Sequence, residues 1–216
     1  RDHYVTPTIV HVPWKNRECW CKKCFGPIHR ERNGPYTITL DPGSDVIPDF
    51  LFGVGADDLL VSDCVKKAFE DAGLTGYVAW PLKIQEPKRV PKKSKVPRVP
   101  SPYPGPPLWD LYVTEFVHLV PEKSTLAYNG VCPVCGRERF DSLGLGEEKT
   151  WCVVDRATWN GADFMRPHER NTIYFTQRVA EIIKANGFTS VKLRQTAELG
   201  DANTEVPERV RPYLFR

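Results

Sequence analysis

Residues 57–84 read DDLLVSDCVKKAFEDAGLTGYVAWPLKI, and residues 173–194 read IYFTQRVAEIIKANGFTSVKLR. In the first stretch Ser62 stands where a short hydroxyl side chain opens a helix. Val65, Ala68, Phe69 and Ala72 then recur at the spacing of one helical face. Gly73 sits where a left-handed residue stops the helix. The pattern predicts a helix over Ser62–Ala72 and a strand over Gly76–Ile84. In the second stretch Thr176 opens a helix to Asn186, with Val179, Ile182 and Ile183 on its apolar face. Gly187 stops it, and a strand is expected over Thr189–Leu193.

Slid by 114 residues without gaps, Ser62 meets Thr176, Val65 meets Val179, Gly73 meets Gly187 and Thr75 meets Thr189. N-cap, apolar face and glycine stop are general helix grammar, and alone they recur by coincidence. The cysteines add a second register. Cys21-Lys-Lys-Cys24 and Cys132-Pro-Val-Cys135 are offset by 111 residues at both positions. The expectation is an α+β fold of two pseudo-repeated halves, each holding a knuckle, a helix and a strand. Residues 1–86 form the first half and 108–216 the second, joined by a linker over 87–107 into one compact unit.

A Cys-x-x-Cys loop turns two sulfurs toward one point, and two such loops fill the tetrahedral shell of a structural zinc. One Zn²⁺ per chain is therefore expected on Cys21, Cys24, Cys132 and Cys135, in a zinc-ribbon-like site. Pro133 stiffens the second loop, and Gly136 supplies left-handed backbone after the second ligand. Lys22 and Lys23 would offset part of the −2 charge of a tetrathiolate zinc centre. Ordinary ribbons separate their pairs by about 15 to 20 residues, whereas 107 intervene here. The metal would join distant parts of the chain, so binding and folding would be coupled. Disulfides and a redox pair are the rival uses of these cysteines, but neither pair lies between a strand and a helix of a βαβ unit. Cys19, His29 and His168 are alternative ligands. Cys64 falls on the polar side of its helix, and Cys152 reads as a buried strand residue within Thr150–Asp155.

Between the halves, residues 87–107 (PKRVPKKSKVPRVPSPYPGPP) carry six cations and no acid, which leaves the remainder at −3 of a total +3. The prolines favour a solvated polyproline II strap. After it, LWDLYVTEFVHLV turns strand-like, with Leu111, Val113 and Phe116 as its apolar positions. Tyr4–Val12 and Tyr36–Leu40 read as further strands, the latter closed by the turn Asp41-Pro42-Gly43.

Several classes are disfavoured. No run of about 18 apolar residues suggests a membrane helix, and Arg1-Asp-His-Tyr4 does not begin a signal peptide. Paired cysteines at metal spacing suit a reducing compartment, so a cytoplasmic location is expected. No hydrolase or nucleotide-binding motif occurs. The stretch Gly144–Thr150 lacks phosphate-loop spacing, and Asp163 with Arg166 reads as an intrachain ion pair. A shell of four cysteines leaves no open metal position for hydrolysis. No enzyme is expected. The strap's six cations leave nucleic-acid binding as an alternative, although Tyr103 is its only aromatic residue.

The sequence resembles the myxobacterial double-CXXCG motif proteins. The likeness rests on CKKCFG, DDLLVSDCVKKAFEDAGLTGY, PPLWDLYVTEF, CPVCG, and ADFMR followed by IYFTQRVAEIIKANGFTSV, in that family's order. The first knuckle reads Cys-Phe-Gly where the family name implies Cys-Gly. The resemblance implies an immunity protein that binds and neutralises one cognate toxin exchanged between neighbouring cells, a nuclease being one kind of toxin in such systems. It implies a non-catalytic cytoplasmic protein acting by direct protein contact. No membrane, small-molecule substrate or specific nucleic acid is expected, and the strap with the loops around it, whose composition differs from the repeated core, is the expected specificity surface.

Overall fold

The computed structural model describes residues 4–13, 21–23, 32–51, 59–87, 96–142, 150–170, 172–201 and 203–208. In chain order they form β1 (Pro7–His11), β2 (Thr37–Leu40), β3 (Phe50–Leu51), β4 (Leu60–Ser62), α1 (Asp63–Asp71), β5 (Tyr77–Pro81), β6 (Lys83–Ile84), β7 (Leu108–Val113) and β8 (Phe116–Val117). They continue with β9 (Leu126–Val131), β10 (Glu138–Ser142), β11 (Cys152–Asp155), β12 (Phe164–Pro167), β13 (Tyr174–Phe175), α2 (Gln177–Asn186) and β14 (Ala197–Gly200). The fold is mixed α+β, with two α-helices and several small sheets among the described residues. The largest sheet runs β3-β4-β7-β5; others run β1-β2-β6 and β13-β12-β8, with pairs β9-β10 and β11-β14.

Both helices form where expected. Ser62 and Thr176 hold the extended backbone of an N-cap, but neither hydroxyl caps its own helix. Each donates instead to an aspartate of the preceding strand region: Ser62 Oγ to Asp49 at 3.1 Å, and Thr176 Oγ1 to Asp163 at 2.9 Å. Gly73 and Gly187 both take φ of +63°, a region that costs a residue with a Cβ. The two helices face one core. Val65 and Phe69 of α1 meet Val179 and Ile183 of α2 over Phe50, Val61, Leu111, Val113 and Phe164. Burial of each such side chain contributes about 1.5–3 kcal/mol.

The 114-residue register extends beyond the helices. In the β3–β4 hairpin Phe50 faces Val61 and Leu51 faces Leu60. In the β12–β13 hairpin Phe164 faces Phe175 and Met165 faces Tyr174, each 114 residues on. The aspartates then cross over. The Asp49 carboxylate accepts from the N–H and hydroxyl of Thr189, both at 2.8 Å. The Asp163 carboxylate accepts from the N–H of Thr75 at 3.0 Å and its hydroxyl at 3.4 Å. The parallel pairs β2–β6 and β11–β14 recur with one residue of drift.

Other expectations need correction. No strand forms over Thr189–Leu193; the next one, β14, begins at Ala197. Thr189 is tied to Asp49, and Ser190 turns the chain at φ +59°. No described strand lies alongside to complete a ladder, and extended backbone without one is not a strand. The strand expected over Gly76–Ile84 divides at Leu82: β5 pairs with β7, whereas β6 pairs with β2. β7 lies between β4 and β5, and LWDLYV is also buried on both faces of the sheet rather than one. The described part of the strap is not fully solvated, because Val99 and Tyr103 pack against the core of β1, β2 and β4. Asp163 pairs with Arg178 at 3.3 Å, not with Arg166.

Candidate metal centre

The β9–β10 hairpin builds the second knuckle. Glu138 faces Val131 across its base, and the Cys132 N–H donates to the Arg137 carbonyl at 2.8 Å. The chain turns through Pro133–Cys135, and the Gly136 N–H returns to the Cys132 carbonyl at 2.9 Å. Gly136 makes this turn at φ +72°, as the sequence pattern requires. Cys21 reaches the same point from the segment beyond β1.

Cys21, Cys132 and Cys135 bring their sulfurs within 4.8 Å of one another. The Cys21 and Cys132 sulfurs are 3.7 Å apart, and both residues are buried. A disulfide would hold them at about 2.05 Å. Thiolates bound at about 2.3 Å to one tetrahedral ion lie about 3.8 Å apart. The spacing is that of one edge of a metal–thiolate tetrahedron. The N–H groups of Cys135 and Val134 donate to the Cys132 sulfur. Outweighing burial, and joined by the side chains of Cys135 and Cys21, they pull its thiol down to about 6. A thiolate at neutral pH is the form that binds metal. Exposed Lys22 and Lys23 adjoin Cys21 and place positive charge beside the sulfurs.

The expected ligand Cys24 and the alternatives Cys19 and His29 lie outside the described residues. His168 is not part of the cluster. Its ring stacks on His118 at 4.5 Å and Phe116 at 5.1 Å. Cys64 is exposed and donates to Asp49 at 3.1 Å. Cys152 is buried, with Arg170 Nη1 3.5 Å from its sulfur. The cysteine trio is the one group among the described residues able to gather three metal ligands.

Sequence reasoning missed a second buried polar centre. Arg32 and Asp110 form a two-pronged ion pair, with Arg32 Nη2 to Asp110 Oδ1 at 2.9 Å and Nη1 to Oδ2. The guanidinium centre lies 3.9 Å from the ring centre of Tyr36 and 4.6 Å from that of Tyr112. Trp80 stacks on Tyr112 beside it. The pair anchors the segment following the first knuckle to the middle of the largest sheet. Its one visible signal was an acid inside LWDLYV; nothing local named Arg32 as its partner.

No family model and no curated protein matches the chain. No described helix is long and apolar enough to cross a membrane.

Proposed function

We propose that the chain is a zinc-clamped, non-catalytic binding protein that neutralises a toxin by direct contact in the cytoplasm. The observation that carries the metal part is the 3.7 Å approach of Cys21 and Cys132, residues 111 apart in sequence. Cys21, Cys132 and Cys135 would hold the ion with Cys24 as fourth ligand. When bound, such an ion supplies cross-linking, and a shell closed by four cysteines offers no site for activating water. The toxin reading comes from the resemblance to double-CXXCG proteins. The acidic balance outside the strap suits a basic partner, such as a nuclease cleft, through charge steering.

The nucleic-acid alternative loses weight on one observation. Tyr103, the strap's only aromatic, packs onto the protein core and so is poorly placed to stack on bases. The shared register of hairpins, aspartates and helices supports a fold built from two related halves. Elemental analysis should find about one zinc per chain. Co-expression with the C-terminal domain of a toxin encoded beside it should rescue growth and yield a complex. Absence of zinc from protein purified under reducing conditions would defeat the clamp; unabated killing without a complex would defeat neutralisation of that toxin.

A further inference from the structure

The hairpins β3–β4 and β12–β13 share a register but not their surroundings. The outer edge of β4 is covered by β7, with Trp109 opposite Val61 and Leu108 opposite Ser62. Leu108 is buried against Leu40, Leu51 and Leu60. The counterpart of β4 is β13, which among the described residues lies at the edge of its sheet. The residues 114 positions after Leu40, Leu51 and Leu60 are Val154, Met165 and Tyr174. These three line an open groove of about 310 Å³ whose rim includes Trp159, Phe175 and Leu199. The groove therefore stands where the first half buries Leu108.

The backbone is also oriented for an added strand. The Thr176 N–H donates inward to the Asp163 carbonyl at 2.9 Å. Alternation along an antiparallel strand then turns the N–H and C=O of Phe175 outward, toward the groove. Phe175 is itself 37% exposed, although large and apolar. A charge distinguishes the two places. Glu198 stands where the first half has Ile84, and its Oε1 is buried without a hydrogen-bond partner among the described residues. Burial pushes its carboxyl up. A buried acceptor without a partner favours a ligand that brings a donor.

We infer that the β13 edge and its groove accept an extended strand from a protein partner. The partner segment carries a leucine-sized residue followed by an aromatic, and a Lys or Arg that reaches Glu198. β7 supplies the template, and the acidic groove selects the basic residue. The β7 of a second copy is not available, because it lies between two strands of its own sheet. This inference names the face for the partner contact proposed above and rests on that binding reading.

The test uses the full zinc-loaded chain and two fluorescent peptides, PPLWDLYV and PPLWKLYV. The lysine peptide should bind one-to-one and about tenfold more tightly, the size of one charge-assisted hydrogen bond. It should slow hydrogen exchange at the Phe175 amide. Glu198→Ile should abolish the preference between peptides, and Ala197→Trp should block both while leaving zinc content unchanged. No saturable binding, binding indifferent to Ala197→Trp, or a groove occupied by a second copy of the chain would overturn the inference. A toxin neutralised equally by wild type and Ala197→Trp would overturn this face alone. Peptide binding without toxin neutralisation would overturn the toxin reading alone.

Discussion

The hairpin that leads into α1 and the hairpin that leads into α2 are built alike. Each pairs a large apolar residue across the turn, places an aspartate before it, and hands the chain to a helix ended by glycine. Their surroundings diverge beyond the helices. After α1 the chain makes β5, travels through the strap and returns as β7 to lie between β4 and β5. After α2, no described strand returns beside Thr189–Leu193, and that segment does not become one. The same local grammar thus gives a four-stranded sheet on one side and, among the described residues, an open edge on the other. Strand formation here depends on a third segment arriving, whereas helix formation does not.

The proposed ion would be the strongest bond between the two sides, and its loss should have the largest effect. Cys21→Ser and Cys132→Ser should each release the ion and a folding contribution on the order of 10 kcal/mol. Neither variant should then show a cooperative melt, while Cys64→Ser should change stability by less than about 0.5 kcal/mol. Equal melting of all three by calorimetry would break the symmetric picture of the clamp.

Next comes a feature that, among the described residues, is found on the first side only. Asp110→Ala leaves the Arg32 guanidinium buried without its carboxylate, so urea unfolding should show a loss of about 3–5 kcal/mol. A loss below about 1 kcal/mol would mean that Arg32 does not depend on this carboxylate.

The crossed aspartates should rank third, at about 1.5–3 kcal/mol each for Asp49→Ala and Asp163→Ala, because several bonds to a charged acceptor disappear. Asp163 also holds Arg178 and is the better buried, so its loss should be the larger. At Asp49 burial pushes the carboxyl up, but hydrogen bonds from Thr189, Cys64 and Ser62 outweigh it and leave the group below its ordinary value. Its stabilising contribution is therefore full above about pH 4 and fades as pH falls through the lowered value. Asp49→Asn should flatten that acid limb in a stability-versus-pH series; an unchanged limb would assign it to other carboxylates.

The smallest change should sharpen the comparison. Gly76 and Ser190 are 114 residues apart and both have positive φ, +93° and +59°. Ser190→Gly should stabilise by about 1 kcal/mol, by relieving the left-handed cost. At Gly76 an added Cβ would meet the Phe164 carbonyl oxygen at 2.3 Å, so Gly76→Ala should destabilise instead.

What could be read in the sequence is what chain neighbours determine. Ser62, Gly73, Thr176, Gly187 and the Cys132–Gly136 turn all act within a few residues of their own position. The sites that escaped reading depend on partners far along the chain: Asp110 on Arg32, Asp49 on Thr189, β4 on β7. Helical periodicity shows which face is buried but not which segment buries it. A strand pattern such as Thr189–Leu193 likewise states a capacity to pair, without naming a partner. The fourth expected metal ligand, Cys24, lies outside the described residues, so three cysteines define the candidate site.

The exchange of Asp49 with Thr189 and of Asp163 with Thr75 also bears on how the molecule emerges from the ribosome. Asp49 is synthesised 140 residues ahead of the threonine it holds. Thr75 likewise waits 88 residues for Asp163. The Thr75–Asp163 latch needs nothing beyond residue 163, so it can close on a partly made chain, before the Asp49–Thr189 latch. A nascent chain arrested short of Thr189 should leave α1 open to protease, while one extended past it should resist. Translation itself then sets the order in which the two latches close.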